Sequence, residues 1–246
     1  MERLQKQRFE LKYRISESKA QQVRFFIQNY LKCDSFGMNQ PDLSYSVNSL
    51  YIDSPELKTY RDTINGDRNR FKLRIRYYDD EDTPVYFEIK RRYNKVIRKK
   101  RALVNRMSVK DILSGQFPKM SHLVHFSSGD MEVLEEFSYL QNLLMAKPSL
   151  HVSYMREAYE MEHSNMVRVT FDRKVKSHLI EGDPFIDQNR EIITPFGDTV
   201  ILELKFTDRF PNWLQELTEL FHLRQESAAK YVDSIEEIKF KKIEVA

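Results

Sequence analysis

Residues 69–78 read Asn-Arg-Phe-Lys-Leu-Arg-Ile-Arg-Tyr-Tyr, and this alternation limits the folds open to the chain more than any other feature. Successive side chains of a β-strand point to opposite faces. Phe71, Leu73, Ile75 and Tyr77 therefore share one face, while Lys72, Arg74 and Arg76 share the other. Related spelling recurs at residues 9–15, 86–91, 96–104, 167–172 and 200–206. If these strands join one sheet, the apolar rows gather on one side and the Arg and Lys heads on the opposite side. Like charges repel, so a converging set of cations requires either bulk water or a polyanion.

The remaining organisation is read around those strands. Residues 16–31 predict a helix, with Ser16 as N-cap and Val23, Phe26, Ile27, Tyr30 and Leu31 as its apolar stripe. Residues 45–53 read as a strand, and Pro55 opens a short helix reaching Arg61. Asn65-Gly66-Asp67 makes a turn into residues 69–78, and residues 79–84 form an acidic turn before a strand at 85–91. Tyr93-Asn94 then turns the chain into residues 96–104, giving a hairpin. Ser108 is placed to cap a short helix at 109–114, and residues 130–146 carry a longer helical stripe. Strands at 150–159, 167–172 and 200–206 follow, with closing helices at 213–221 and 227–238. Trp213, Leu214, Leu217 and Phe221 form a core stripe.

Strands outnumber helices and follow one another through short turns, which argues for an α+β protein built on antiparallel pairing. A sheet whose inner face is polar can close into an antiparallel β-barrel, with helices over its apolar outer face. The chain of 246 residues has no low-complexity linker and reads as one domain over 1–246. Hydrophobic residues make up 41% and charged residues 31%, the profile of a folded rather than a disordered chain. The net charge of +3 does not by itself declare a nucleic-acid binder; the arrangement of charge matters more. Cys33 is the only cysteine, which excludes an intrachain disulfide and a Cys-rich zinc site. No stretch approaches the ~20 apolar residues of a membrane span, and the charged start lacks a signal core. A cytoplasmic location is the default expectation.

Glu10-x-Lys12, Glu88-x-Lys90 and Glu203-x-Lys205 each place a carboxylate and an ammonium on the polar face of a strand. Any one such pair is ordinary in a solvated strand. Three copies beside Lys72, Arg74 and Arg76 match a metal–phosphate complex better, because carboxylates hold Mg²⁺ or Mn²⁺ while Arg and Lys bind phosphate oxygens. Arg98 and Lys100 lie opposite Ile97 and Leu103 and are read as inward, with Lys99 and Arg101 outward. Arg168 lies opposite Val167, Val169 and Phe171. The facing of Arg156 stays open, since Val152 and Tyr154 share its parity, and Lys230 reads equally well as a solvated helical lysine. The run at 90–101 alternates too regularly for a simple nucleic-acid patch. Aromatic residues do not interleave the basic face as a base-stacking platform would. No Walker-type or dinucleotide-binding glycine loop, His-Glu-x-x-His pair or Gly-x-Ser-x-Gly elbow is present.

Taken in order, Arg8-Phe-Glu-Leu-Lys-Tyr13, Ser49-Leu-Tyr-Ile-Asp53, Arg68 to Arg76, Phe87-Glu-Ile-Lys-Arg91, Ser153-Tyr-Met-Arg156, Arg168-Val-Thr-Phe-Asp172, Leu202-Glu-Leu-Lys-Phe206 and Glu226-Ser-Ala-Ala-Lys-Tyr231 resemble the polyphosphate polymerase domain of the vacuolar transporter chaperone (VTC) family. That family belongs to the triphosphate tunnel metalloenzymes, and the resemblance implies a β-barrel tunnel lined by Arg, Lys and Glu. It implies binding of ATP with Mn²⁺ or Mg²⁺ and transfer of the γ-phosphoryl group onto a growing inorganic polyphosphate chain. By motif position, Lys12, Arg74, Arg76, Lys90 and Arg168 would serve the transfer. Lys100, Arg156 and Lys230 would hold phosphates, with Lys72 and Lys205 added from their strand faces, and Glu203, with Glu88 and Glu10, the metal. The resemblance leaves Lys99 and Lys100 open, and strand parity favours Lys100.

The chain resembles the stand-alone bacterial members, which would leave export and regulation to a membrane-protein partner at the inner face of the membrane. Two further readings fit the same residues. One is a hydrolase of tripolyphosphate or nucleoside triphosphates on the same scaffold. The other is a non-catalytic polyphosphate-binding module, which would tolerate loss of Glu203.

Overall fold

The alternating segments fold as strands, and the helical stripes pack against their apolar rows. In the computed structural model the described residues are 8–78, 83–94, 96–162, 166–180 and 191–244. In chain order the elements are β1 (Arg8–Ile15), α1 (Glu17–Ile27), β2 (Lys32–Cys33), α2 (Ser35–Met38), β3 (Ser44–Asp53), α3 (Lys58–Ile64), β4 (Asn69–Tyr77), β5 (Val85–Tyr93) and β6 (Val96–Val104). Then come α4 (Val109–Leu113), α5 (Ser128–Leu143), β7 (Lys147–Glu160), β8 (Val167–Leu179), β9 (Val200–Thr207), α6 (Asn212–Leu220) and α7 (Lys230–Glu244). The pairings β1–β9, β8–β9, β2–β7, β3–β4, β4–β5 and β5–β6 are all antiparallel, the α+β class expected from the sequence. Most of the acidic turn expected at 79–84 lies outside the described residues. Among the described residues no helix is long and apolar enough to cross a membrane.

The chain divides into two compact units. The first comprises Met1–Ser46, Tyr154–Val175 and Thr194–Lys230. Its strands run β1-β9-β8-β7, with β2 added to β7. The register sets Lys12 opposite Glu203, Glu10 opposite Lys205, and Arg168 opposite Lys205, so the polar rows of β1, β9 and β8 share a face. On the other face Tyr13, Ile15, Val169, Phe171, Leu202 and Leu204 pack with Ala20, Val23 and Ile27 of α1 and Leu214 and Leu217 of α6. Each large side chain buried there contributes about 1.5–3 kcal/mol. Ser16 caps α1 as expected, its Oγ accepting from the Lys19 N–H at 3.3 Å.

The last helix begins later than its periodicity suggests. Residues 225–228 serve the edge of β1 instead: Gln225 bridges Tyr13, Glu226 N–H donates to the Lys12 carbonyl at 3.0 Å, and the Ala228 carbonyl accepts from Lys12 Nζ at 3.0 Å. Those backbone groups are engaged sideways, and the helix starts at Lys230.

The second unit comprises Val47–Ser153, Lys176–Ile193 and Tyr231–Ala246. Its strands run β7-β3-β4-β5-β6. Leu50, Ile52, Leu73, Ile75, Phe87, Ile89, Ala102 and Val104 pack against Leu134, Phe137 and Leu140 of α5, with the Phe87 and Phe137 rings edge to face at 4.8 Å. In the β5–β6 register Ala102 opposes Phe87 and Val104 opposes Val85. Ala102 and Val104 therefore mark the buried row of β6, rather than Ile97 and Leu103. This reverses the expected facing of that strand: Arg98 and Lys100 share the helix-covered side, and Lys99 and Arg101 share the side of Glu88. Two local expectations also shift. Ser108 lies within a 3₁₀ turn and makes no side-chain cap. The helix expected from Pro55 begins at Lys58, because Ser54 Oγ accepts from the Lys58 N–H at 3.0 Å and Asp53 accepts from the Thr59 N–H at 2.9 Å.

Candidate functional site

In the first unit, cations converge on the carboxylate of Glu203, in the middle of β9. Lys205 Nζ lies 2.6 Å away, Lys12 and Lys230 each at 3.4 Å and Arg156 at 3.5 Å. They arrive from different elements. Lys12 comes from the cross-strand position on β1, Arg156 from β7, and Lys230 from the first residue of α7. The open facing of Arg156 is thereby decided: it points at the β9 carboxylate. Lys230 is buried rather than solvated, with its ammonium over the Tyr154 ring at 4.7 Å. Beneath them lies Asp172, fully buried. It accepts two 2.7 Å hydrogen bonds from Arg156 and lies 2.6 Å from Lys230.

Burial acts to raise the pKa of Glu203, but Lys205, Lys12, Lys230 and Arg156 outweigh it and hold the carboxyl well below its usual range. Burial likewise opposes ionisation of Asp172, and Arg156 and Lys230 bring its pKa down. Burial disfavours the charged form of Lys230, yet Asp172 and Glu203 leave its pKa raised. For Lys205, burial wins over Glu203 and the pKa falls. The result is a dense set of opposed charges, with Lys12, Lys205 and Arg168 as its more accessible cations. Arg168 lies on the same face, opposite Lys205, and is gripped by Asp34 at 2.7 Å and Glu160 at 2.9 Å. Glu10 lies 3.3 Å from Lys12.

The second unit carries a comparable arrangement around Glu88 on β5. Arg74 donates to it at 2.6 Å, and Lys99 is in direct contact with the other carboxylate oxygen. Burial again raises its pKa, and Arg74, Arg76 and Lys99 pull it far below the usual carboxylate range. Burial, with Arg74 and Arg76 nearby, brings Lys99 down to about 8 against the opposing pull of Glu88. Lys72 and Lys90 are cross-strand neighbours, and Lys90 is also opposite Lys99, so cations line up across β4, β5 and β6. Arg76 is buried and donates to Ser49 Oγ at 3.4 Å. Lys100 does not join this set: its ammonium meets Glu136 of α5 at 2.7 Å on the opposite face.

The sequence matches the VTC domain family over residues 7–239. The chain belongs to the VTC family. No protein with a curated description matches it. Among solved structures, this VTC-family chain is similar to a candidate adenylate cyclase from Bacillus halodurans, at 13% identity over 89% of this chain and 91% of that one, TM-score 0.48. It is also similar to a candidate adenylyl cyclase from Hippeastrum with a dominant triphosphatase activity, at 14% identity over 91% of each chain, TM-score 0.49. A third is the PH1819 protein of Pyrococcus horikoshii, at 14% identity over 94% and 98%, TM-score 0.46.

Metal chemistry in the VTC-family chain is constrained by the donor set. Among the described residues no group of three or more His, Cys, Asp and Glu side chains could hold a metal ion. Glu10 and Glu203 both lie against Lys12 Nζ, at 3.3 and 3.4 Å, and Glu88 sits between Arg74 and Lys99. One or two carboxylates suit Mg²⁺ or Mn²⁺ when phosphate oxygens complete the shell. The residues thus fit a metal that arrives as part of a metal–phosphate complex.

Several site residues escape a strand-pattern reading. Asp172 falls on the polar parity of the predicted strand at 167–172, with Arg168 and Thr170, but alternation does not show which cations it meets. Asp34 and Tyr45 lie at element boundaries. Tyr51, buried on β3 opposite Arg74, is another. Burial raises its pKa, but Arg74, Lys72 and Arg76 bring it down to about 8.

Proposed function

We propose that the chain is a metal-dependent polyphosphate polymerase, moving the γ-phosphoryl group of ATP onto a growing inorganic polyphosphate chain. The observation that carries this reading is the convergence of Lys12, Lys205, Lys230 and Arg156 on Glu203. VTC family membership supports it. A terminal oxygen of the acceptor phosphate attacks the γ-phosphorus, the bond to the β-γ bridging oxygen breaks, and ADP leaves. No protein nucleophile is required, so positioning and charge neutralisation carry the rate. Lys12, Lys205 and Arg168 receive phosphate oxygens. Arg156 and Lys230, fixed by Asp172, supply positive potential from a buried position. Glu203 with Glu10 would hold Mn²⁺ or Mg²⁺, which supplies further neutralisation of phosphate charge. In the second unit Lys72, Arg74, Arg76, Lys90 and Lys99 form a cationic surface suited to a polyanion.

The test is incubation of purified protein with ATP and Mn²⁺, with products resolved by size on a gel stained for polyphosphate. Long chains from the wild type, reduced ~10²-fold or more in Arg76→Ala as expected for loss of one charge-stabilising group, would support the polymerase. Free phosphate without chains would replace it with a hydrolase. Tight polyphosphate binding without turnover, unaffected by Glu203→Gln, would reduce the protein to a binding module.

A further inference from the structure

We infer that Asp34 and Tyr45 are positioning residues for Arg168, together forming a clamp that fixes its guanidinium plane on the cationic face of the first unit. The inference rests on the reading of Arg168 as a phosphate-binding group. Arg168 is one of the accessible cations of this face, with 34% of its side chain exposed. A free arginine side chain samples many rotamers, and its value in recognising an oxyanion lies in a fixed planar fork. Here Nη2 donates to Asp34 Oδ2 at 2.7 Å and Nη1 to Glu160 Oε2 at 2.9 Å. The two bonds hold the plane at both ends. Nη2 also donates to the Tyr45 hydroxyl oxygen at 3.4 Å, and Nε–H and the second hydrogen on Nη1 complete the group's donor set.

Asp34 is built into the structure more firmly than a surface partner would be. It is 2% exposed and divides its two oxygens between separate tasks. Oδ1 accepts from the Gly37 N–H at 2.9 Å and so caps α2. Oδ2 accepts from Arg168 and from the Tyr45 hydroxyl, the latter at 2.9 Å. The Asp34 N–H donates to the Ala158 carbonyl at 2.8 Å, just after β2 pairs with β7 through Lys32 opposite Glu160 and Cys33 opposite Tyr159. Tyr45 opens β3 and packs its ring on Phe36 at 5.5 Å. Burial and the neighbouring Asp34 push the pKa of its phenol up, so it remains a donor to Oδ2. Gly37 permits the tight turn that joins these parts: a Cβ there would lie 2.6 Å from the Leu43 carbonyl oxygen. The short β2–α2 segment, silent in the sequence pattern, thus ends in a carboxylate aimed at one arginine.

The test compares Asp34→Asn, Tyr45→Phe, Arg168→Ala and the Asp34→Asn/Arg168→Ala double variant. Asparagine caps a helix as well as aspartate does, so Asp34→Asn leaves α2 its cap and removes the charge at Arg168. The first readout is independent of activity: the guanidinium Nη signals of Arg168 in low-temperature NMR, assigned by their absence in Arg168→Ala. Slow rotation in the wild type, lost in Asp34→Asn and weakened in Tyr45→Phe, is the expected result. The second is phosphoryl transfer from ATP, where Asp34→Asn should lower kcat about 10- to 100-fold with little change in KM. That loss should vanish when Arg168 is already alanine. Unchanged Nη signals in Asp34→Asn, or losses that add in full in the double variant, overturn the clamp. A wild type that transfers no phosphoryl group removes the polymerase reading instead, and the Nη signals still decide the clamp.

Discussion

Asp172→Ala is the sharpest test of how the first unit holds its charges. Asp172 is fully buried, and it faces Arg156 through two 2.7 Å hydrogen bonds and Lys230 at 2.6 Å, both cations being 8% exposed. Its removal leaves them with Glu203 alone, at 3.5 and 3.4 Å. Breaking a buried ion pair by deleting one partner costs about 3–5 kcal/mol, chiefly because a buried charge is left uncompensated. With a urea slope of about 2 kcal/mol per molar, the midpoint should fall by about 2 M. Trp213, the only tryptophan and a residue packed on this unit's core, gives the fluorescence signal. The pH dependence has a definite sign. Burial raises the Asp172 pKa but Arg156 and Lys230 bring it below its ordinary value. Its contribution is therefore complete above the unfolded carboxylate value near ~3.9 and is lost as pH falls through the depressed folded value. The wild-type and variant curves should converge in strong acid. Tripolyphosphate should restore more stability to the variant than to the wild type, because the anion replaces the missing counter-charge. A variant within ~1 kcal/mol of the wild type at pH 7 would refute the claim that Asp172 compensates two buried cations.

Three further outcomes follow from particular contacts. Lys99→Met should weaken tripolyphosphate binding about tenfold, as loss of one charge-assisted hydrogen bond does, while Lys100→Met should leave it unchanged; calorimetric titration giving the reverse order would refute the facing of β6. Lys99 should titrate near 8 by NMR of its ε-methylene, and lower still in Glu88→Gln, which removes the group that raises it. Because the unfolded chain binds more protons there, stability should rise with pH between about 8 and 10.4; a Lys99 pKa that rises in Glu88→Gln would contradict this balance. Gly37→Ala forces a Cβ to within 2.6 Å of a backbone oxygen and 2.8 Å of Cys33 Sγ, and should cost about 1–3 kcal/mol in urea unfolding; an unchanged midpoint would show that the turn can open.

The sequence pattern and the structure agree where one period decides the answer and part where two are possible. In β4 the apolar and basic residues alternate without exception, so the facing of Lys72, Arg74 and Arg76 could be read directly. In β6 the apolar residues fall on both parities, Ile97 and Leu103 on one, Ala102 and Val104 on the other. The larger side chains suggest the wrong row. The cross-strand register to Val85 and Phe87 selects the smaller ones, since the space under α5 is already filled by Phe87 and Phe137. The same limit explains why Lys12, Lys205 and Glu203 are legible from their strands while the facing of Arg156 stays open and Lys230 reads equally well as solvated. Alternation puts Asp172 on the polar face of its strand but does not say that Arg156 and Lys230 reach it from other elements, and Asp34 follows a two-residue strand where no period exists. Arg156 and Lys230 are held by the fully buried Asp172, while Lys12 and Lys205 meet Glu203, and Lys12 also Glu10 and the Ala228 carbonyl oxygen. Drawing Lys12 and Lys205 away from Glu203 would leave that buried carboxylate with Arg156 and Lys230, at 3.5 and 3.4 Å, as its cations. Moving Arg156 or Lys230 would in addition strand the fully buried Asp172, so in the proposed reaction these two stay in place and contribute through their field.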